Sequence, residues 1–451
     1  MFVPKELENL SDIFKRHKKN LYVVGGYVRA SIMGLGTEED IDLASNAKPA
    51  EIMHILSGTQ FKTKLMSERT GVVEIVAGNC RFEHATFRTE QYAISGEHMP
   101  ADVEFVDSLE LDAKRRDFTC NAIYYDIDGC QLVDPLNGIQ DIKNKIVRSC
   151  IEPNHLFKND AERILRMVRF SCCCGFNIDQ KTLKGAKDNT FRLKFLSNAR
   201  KRKEINAILL SDIKYPMLNL QFAHIQGVQL LFEIGALQYL FPNLNLALEE
   251  NNKMQNGLTA IQYLNMLLHF SKPNTRLACL LALCGTDGYS KNGKVTRGFS
   301  IESAQEAEYE LSNLEYSNET KKVVAACIKN FELFSKDKLT LGRARQVALF
   351  TTSELDELED FAITAKSAYN AKVATNSRSL ANLRLAIKQK QNRLFATSIN
   401  QIKITNEQIK ALKNLDAKEL NEIKTKLLLI GAKKGRILSN KENLKLAKKL
   451  V

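Results

Sequence analysis

The chain changes rhythm near residue 150, and that change limits its fold more than any other feature. Before it, short β-branched runs alternate with a helical pattern: Leu21 to Gly26, Ile41 to Ala44, Gly71 to Val76 and Cys80 to Arg88 read as strands, and Val28 to Met33 reads as a helix between the first two. From Leu156 onward strand signals almost vanish. Apolar residues recur there at helical spacing, through Ile164, Leu165, Val168, Phe170, Ile205, Leu209 and Leu210. The expectation is an α+β chain, a mixed-sheet head followed by an all-helical remainder. Breaks at Tyr215–Pro216, at Phe241–Pro242–Asn243 and in the Gly-rich polar stretch from Gly285 to Gly298 suggest further division. The reading is four domains: 1–150, 151–215, 216–335 and 336–451.

Charge is distributed as unevenly as secondary structure. The net charge is +13, yet residues 371–451 alone hold 19 Lys and Arg against 5 Asp and Glu, so the earlier part is close to neutral. A basic excess confined to one end is the footprint of a polyanion partner, because Lys and Arg on phosphates release condensed counterions. The longest strongly apolar run, Leu277 to Gly285, is well short of the roughly 18 residues of a membrane span. The first ten residues carry acid and no apolar core of a signal peptide. With ten cysteines and no CxxC pair, neither a disulfide framework nor a zinc site is expected, and Cys172 to Cys174 read as buried small hydrophobes. A cytoplasmic location is the corresponding expectation.

The run from Leu21 to Asp42 reads as a strand, a Gly25–Gly26 turn, a helix opening at Tyr27, and a second strand carrying Asp40 and Asp42. Two glycines let backbone N–H groups approach a triphosphate, the helix start adds a favourable dipole, and Arg29 can fork onto phosphate oxygens. Asp40 and Asp42 lie two apart, so on a strand they share a face with Cα atoms roughly 7 Å apart. Paired carboxylates repel unless a cation sits between them, and two divalent ions can serve the attacking and leaving oxygens of a phosphoryl displacement. Taken alone, an Asp-x-Asp at a strand end also fits a solvated edge. Following Gly-Gly-x-Val-Arg at this spacing, it points to metal-dependent nucleotidyl transfer.

Gly25-Gly26-Tyr27-Val28-Arg29 followed by Asp40-Ile41-Asp42 resembles the class II nucleotidyltransferase signature shared by tRNA CCA-adding enzymes and bacterial poly(A) polymerases. Three further segments fit in order. Lys114 to Ala122 looks like the family's RRDFTxNA motif. Asp134-Pro135-Leu136-Asn137-Gly138 with Asp141 looks like its DPxxGxxD segment, and Asn159 to Phe170 is similar to its EDxxRxLRxxRF helix. The resemblance implies metal ligands at Asp40 and Asp42 and nucleotide contacts at Gly25, Gly26, Arg29, Arg116, Arg166 and Arg169. It implies base reading by Asp160 and Arg163. The chemistry agrees: a carboxylate accepting from an amino group and a guanidinium donating to a ring nitrogen suit C and A and leave U and G mispaired. Glu83 is a candidate third carboxylate to polarise an attacking 3′-hydroxyl. Ala30 and Asn159 depart from the Asp and Glu usual at those positions.

Beyond residue 215 the resemblance thins. Leu277 to Gly285 is comparable to a segment of HD-type hydrolases, but Ala282 and Leu283 occupy the His-Asp positions, so the body is expected to lack hydrolase metal chemistry. His224 and His269 read as ordinary core or surface residues. Gly435 to Leu444 resembles the tail of longer bacterial members, and Lys-rich helices there suit the backbone of an RNA acceptor arm. The resemblance thus implies a Mg²⁺-dependent enzyme adding C, C and A to tRNA 3′ ends from CTP and ATP, with no membrane partner. Poly(A), CC-only or A-only addition, and a non-catalytic RNA-binding protein, remain open at this point.

Overall fold

A computed structural model describes residues 3–36, 40–92, 100–250, 264, 272–289, 295–335, 338–349, 357, 361, 378–413 and 415–451. The chain divides into two compact units, Met1–Leu240 and Phe241–Val451.

The first unit opens with α1 (Lys5–Arg16), β1 (Tyr22–Val24), α2 (Gly26–Ile32), β2 (Ile41–Ser45) and α3 (Pro49–Ile55). Strands β3 (Lys62–Ser67), β4 (Val72–Ala77), β5 (Cys80–Thr86), β6 (Arg88–Gln91) and β7 (Asp102–Phe105) follow, then α4 (Leu109–Arg115), β8 (Tyr124–Asp126), β9 (Gln131–Val133) and α5 (Gly138–Lys143). Seven strands form one sheet in the order β3-β4-β5-β2-β1-β8-β9, in which only the β2–β5 pairing is parallel. Alternation sets its two faces. Val23, Leu43, Phe82, Val73 and Ile75 are buried on one side, where α1 contributes Phe14, whose ring lies 5.9 Å from that of His84. On the other, Val24, Ala44 and Tyr124 join Phe87 and the α4 residues Leu109 and Ala113. Each fully buried Leu or Phe in these layers contributes about 1.5–3 kcal/mol.

His84 is a polar exception within the first layer. It is fully buried with Nε2 2.7 Å from Ser45 Oγ, and burial holds its imidazole down at about 3. The folded head therefore keeps His84 neutral, while the unfolded chain binds a proton below the usual 6.5. Stability that is full above pH 6.5 should fall by about 1.4 kcal/mol per pH unit toward pH 3 on this account. Chemical unfolding across that range should show the slope, and His84→Gln should flatten it; an equal slope in the variant would place the proton uptake elsewhere.

The sheet is followed by α6 (Pro153–Asn159), α7 (Glu162–Cys174), α8 (Gln180–Asn189), a 3₁₀ turn (Thr190–Phe195), α9 (Asn198–Leu209), α10 (Ser211–Lys214) and α11 (Ala223–Glu233). Asp160 starts α7: its backbone is extended and its Oδ1 accepts from Glu162 N at 2.9 Å. Gly175 ends it in the left-handed region at φ 67°. Cys172, Cys173 and Cys174 are buried and unbridged along its last turn, and burial first among the causes pushes the Cys172 thiol up to about 12.

In the second unit, Pro273–Leu281, Ile301–Asn313 and Asn318–Ser335 pack together, and Leu341–Leu349 packs against Arg378–Gln391 and Ala417–Lys434. Leu277 to Gly285, including Ala282 and Leu283, is buried throughout. Ile409, Leu420, Ile423, Leu427 and Ala447 form a small core near the C-terminal end. Asp416 with Glu419 and Ser439 with Glu442 make capping boxes on its last two helices.

Among the described residues, the remainder is helical apart from short strand pairs. Ile146–Val147 pairs in parallel with Asn177–Ile178, and Thr286–Tyr289 pairs antiparallel with Val295–Arg297 inside the Gly285 to Gly298 stretch. Two-to-four-residue strands are too short to produce a periodic signal, so a Gly-rich hairpin reads as a loop. His224 is buried with Nδ1 3.5 Å from Asp212, whereas His269 lies outside the described residues. No helix among the described residues is long and apolar enough to cross a membrane.

Candidate nucleotide site

The antiparallel pairing of β1 with β2 and β8 brings three chemical segments to one end of the sheet. Val24 stands opposite Asp42 on one side and Tyr124 on the other, so the Gly25–Gly26 turn, Asp40 with Asp42, and the Asp117 to Asn121 segment converge there. Gly25 adopts φ 81°, and a Cβ on it would approach Asp42 Oδ2 to 3.1 Å. Only glycine takes this conformation cheaply, and it also leaves the carboxylate its room.

Helix α7 supplies the opposite wall of a cavity of about 850 Å³. Gly25, Gly26, Arg29, Asp40, Asp42, Arg116, Asp160, Arg163, Arg166 and Arg169, all singled out in the sequence, line this one cavity. Glu83 does not. It sits beside Asp42 on β5 and is exposed, outside the lining.

The arginines are held in place by partners from distant elements. Arg29 is buried; its Nη1 donates to Asn121 Oδ1 and its Nη2 to Tyr215 Oη at 3.0 Å. Arg166 Nε donates to Asp117 Oδ2 at 2.7 Å, Arg169 pairs with Glu204 at 3.1 Å, and Arg163 Nη2 donates to the Arg115 carbonyl at 2.9 Å. Arg163 Nε lies 3.9 Å from Asp160 Oδ2. Arg116 pairs with Asp112 at 3.1 Å and donates to Tyr124 Oη at 2.9 Å.

Burial alone would raise the Asp117 carboxyl, but the Arg166 charge, hydrogen bonds from Asn121 and Arg166, and nearby Arg163 bring it down to about 2. Asp112 is likewise brought to about 2 against its burial, by Arg115, Arg116 and the Tyr124 hydroxyl.

Several cavity residues were not singled out from sequence. Phe170, read as a packing residue, lines the cavity, and the guanidinium carbons of Arg29, Arg166 and Arg169 lie 4.9, 5.2 and 4.8 Å from its ring centroid. Asp117 and Asn121 lay within the matched Lys114 to Ala122 segment and could have been named. Lys203 and Tyr215, from α9 and the end of α10, had no local signal.

The lining carries eight Lys and Arg against five Asp and Glu. Its net positive charge suits a polyphosphate, while Asp40 and Asp42 concentrate negative charge at the glycine turn. Two carboxylates are the usual protein share of a hard divalent cation that takes its other oxygens from phosphates and water.

Residues 21–148 match the model of the Poly A polymerase head domain, and residues 175–248 match that of the probable RNA and SrmB-binding site of polymerase A. The head is thus similar to class II nucleotidyltransferase heads, and the relatives it matches are CCA-adding enzymes. It is 38% identical over 183 residues to the CCA-adding enzyme of Lactobacillus helveticus, covering 41% of this chain and 44% of the relative. With that of Streptococcus thermophilus it shares 31% over 252 residues, 55% and 58% of the two chains. The chain spans about half the length of the curated relatives it matches. The fold is similar across both chains to a crystal structure of the Bacillus stearothermophilus CCA-adding enzyme in complex with CTP, with TM-score 0.65, 21% identity and coverage of 99% and 98%. The Thermotoga maritima CCA-adding enzyme complexed with tRNA gives TM-score 0.52 at 18% identity, with coverage of 99% and 95%.

Proposed function

We propose that the chain is an RNA nucleotidyltransferase that adds C, C and A to tRNA 3′ ends from CTP and ATP. The observation that carries this reading is a single cavity holding the glycine turn and the Asp40–Asp42 pair together with Asp160 and Arg163. The RNA 3′-hydroxyl oxygen loses its proton to solvent and attacks the α-phosphorus of the bound nucleotide, the bond from that phosphorus to the bridging oxygen breaks, and pyrophosphate leaves with that oxygen. Asp40 and Asp42 would hold Mg²⁺, which would neutralise phosphate charge and make the attacking hydroxyl more acidic. Gly25 and Gly26 let the triphosphate approach the start of α2, and Arg29 places positive charge beneath that turn. Arg116, Arg166 and Arg169, braced by Asp112, Asp117 and Glu204, orient the nucleotide. Glu83, beside Asp42 on β5 and outside the cavity lining, acts on the attacking hydroxyl through its charge alone. Residues 1–150 act as the catalytic head, 151–215 as the base-reading neck, and 216–335 and 336–451 as a body and a basic tail that hold tRNA.

Asp160 Oδ1 caps the start of α7, and Oδ2 lies 3.9 Å from Arg163 Nε, so the carboxylate and the guanidinium stand side by side on the cavity wall. Asp160→Asn keeps the cap, since Asn caps as well as Asp, but lets the amide present a donor in place of an acceptor. The preference for CTP over UTP, read as the ratio of kcat/KM values, should fall by about 100-fold with little loss of stability. An unchanged ratio would remove Asp160 from base reading. The function itself is tested by incorporation of each labelled nucleotide into three tRNA transcripts, ending before CCA, after C and after CC. CTP addition followed by one ATP and a stop supports the proposal; long A-tracts, CTP-only or ATP-only addition would replace it with another activity of the class. RNA binding without incorporation would leave a non-catalytic RNA-binding protein.

A further inference from the structure

Beside the nucleotide cavity, the segment from Thr190 to Lys203 combines two properties that suit a nucleic-acid partner. It contains six Lys and Arg and no acidic residue, and it displays two phenylalanines on the surface. Leu193 and Leu196 are buried and fix the 3₁₀ turn, while Phe195 is 67% exposed and Phe191 44% exposed on the same short element.

The charges beside these rings are ordered. Arg192 lies 5.0 Å from the Phe191 ring centroid, and its Nε donates to Asn189 Oδ1 at 3.0 Å. Lys194 Nζ lies 5.5 Å from the ring centroid of Tyr239, which sits on a 3₁₀ turn packed against this one. The turn leads directly into α9, and Lys203 on that helix lines the nucleotide cavity, roughly 7.5 Å along the helix axis from its first residue.

We infer that Phe195, with Phe191, Arg192 and Lys194, forms a stacking platform for an unpaired base of the RNA substrate on its way to the cavity. Every base has a π-face, so an exposed aromatic ring grips RNA without selecting sequence, and the flanking cations hold the adjoining phosphates. A polyanion suits this element better than a protein partner, because Thr190 to Lys203 offers cations and no acidic side chain beside its two rings. This inference rests on the proposed RNA substrate and adds to it the residues and the mode of contact.

The test is equilibrium binding of a tRNA transcript lacking CCA to the full chain, without nucleotide, for Phe195→Ala, Phe195→Leu and Phe195→Tyr. Stacking predicts a loss of at least about 5-fold for the Ala and Leu variants and near-complete rescue by Tyr. Unchanged thermal unfolding is expected in all three, as the side chain is mostly in water. Wild-type binding by Phe195→Ala overturns the platform, and wild-type binding by Phe195→Leu overturns stacking in favour of an apolar docking face. Because binding is read without chemistry, a wild-type chain that binds in the predicted pattern but incorporates nothing would sink the proposed activity and leave the platform standing.

Discussion

Asp42→Asn is expected to lower nucleotide incorporation by about 1,000-fold or more while leaving tRNA binding within about twofold. The reason lies in what surrounds the carboxylate. Asp42 stands opposite Val24 at the end of β1, and its Oδ2 is 3.1 Å from the position a Cβ on Gly25 would take. Asn is the same size and fits the same space, so the fold has no cause to change. What disappears is half of the negative charge facing the triphosphate, and with it the protein's hold on a divalent cation. Incorporation assays with Mg²⁺ and a filter-binding measurement on the same preparation separate the two effects. Retained incorporation would remove Asp42 from the chemistry, whereas loss of binding with loss of activity would point to a disrupted head. Equal sensitivity is expected at Asp40, which precedes β2 and shares its exposed face.

Removing Asp117 should damage both stability and activity. Its carboxylate is buried, accepts from Arg166 and from Asn121 Nδ2 at 3.1 Å, and caps the Phe118 N–H at 2.8 Å. Asp117→Ala takes away the carboxylate that Arg166 donates to and leaves a half-buried guanidinium with only the more distant Glu204 and Glu162 charges, a change that costs about 1–3 kcal/mol. The pair is separable from the rest by a double-mutant cycle, because Asp117→Ala with Arg166→Ala should cost less than the sum of the single changes. Acid gives a second handle. The folded carboxyl sits at about 2 against the usual 3.8, so its contribution is complete above pH 3.8 and is lost as pH falls through about 2. Acid unfolding of the wild type should therefore be steeper below pH 4 than that of Asp117→Asn. Additive single-mutant losses, or identical acid limbs, would show that Asp117 and Arg166 do not act as a unit.

The elements that announced themselves in the sequence share one property: their signals are local. Strands β1 and β4 are rich in β-branched residues, β4 and β5 alternate in burial, and β1, β2, β4 and β5 each coincide with an expected run to within a few residues. Strand β3 gave no signal because it is a sheet-edge strand of mostly exposed residues, including Lys62 and Lys64, with no alternation to read. Strands β8 and β9 have three residues each. Expecting Phe170 to be simple packing followed from its place on the apolar side of α7. Its second role, as the ring around which three guanidiniums gather, depends on α2 and cannot be read from α7 alone.

The same division holds for the site. The two glycines, the two aspartates on one strand face and the three-residue steps of Asp160, Arg163, Arg166 and Arg169 are spacings within single elements, and backbone geometry turns such spacings directly into shared faces. The sequence by itself therefore determined the mixed head, the helical remainder and the chemical parts of the cavity. Tertiary structure alone decided how those parts are fixed. Arg166 finds Asp117 across 49 residues, Arg29 finds Asn121 across 92 and Tyr215 across 186, and Glu83 falls outside the lining although it neighbours Asp42. Contacts at such separations arise from the packing of whole elements against one another, and no periodicity along the chain encodes which buried charge will meet which partner.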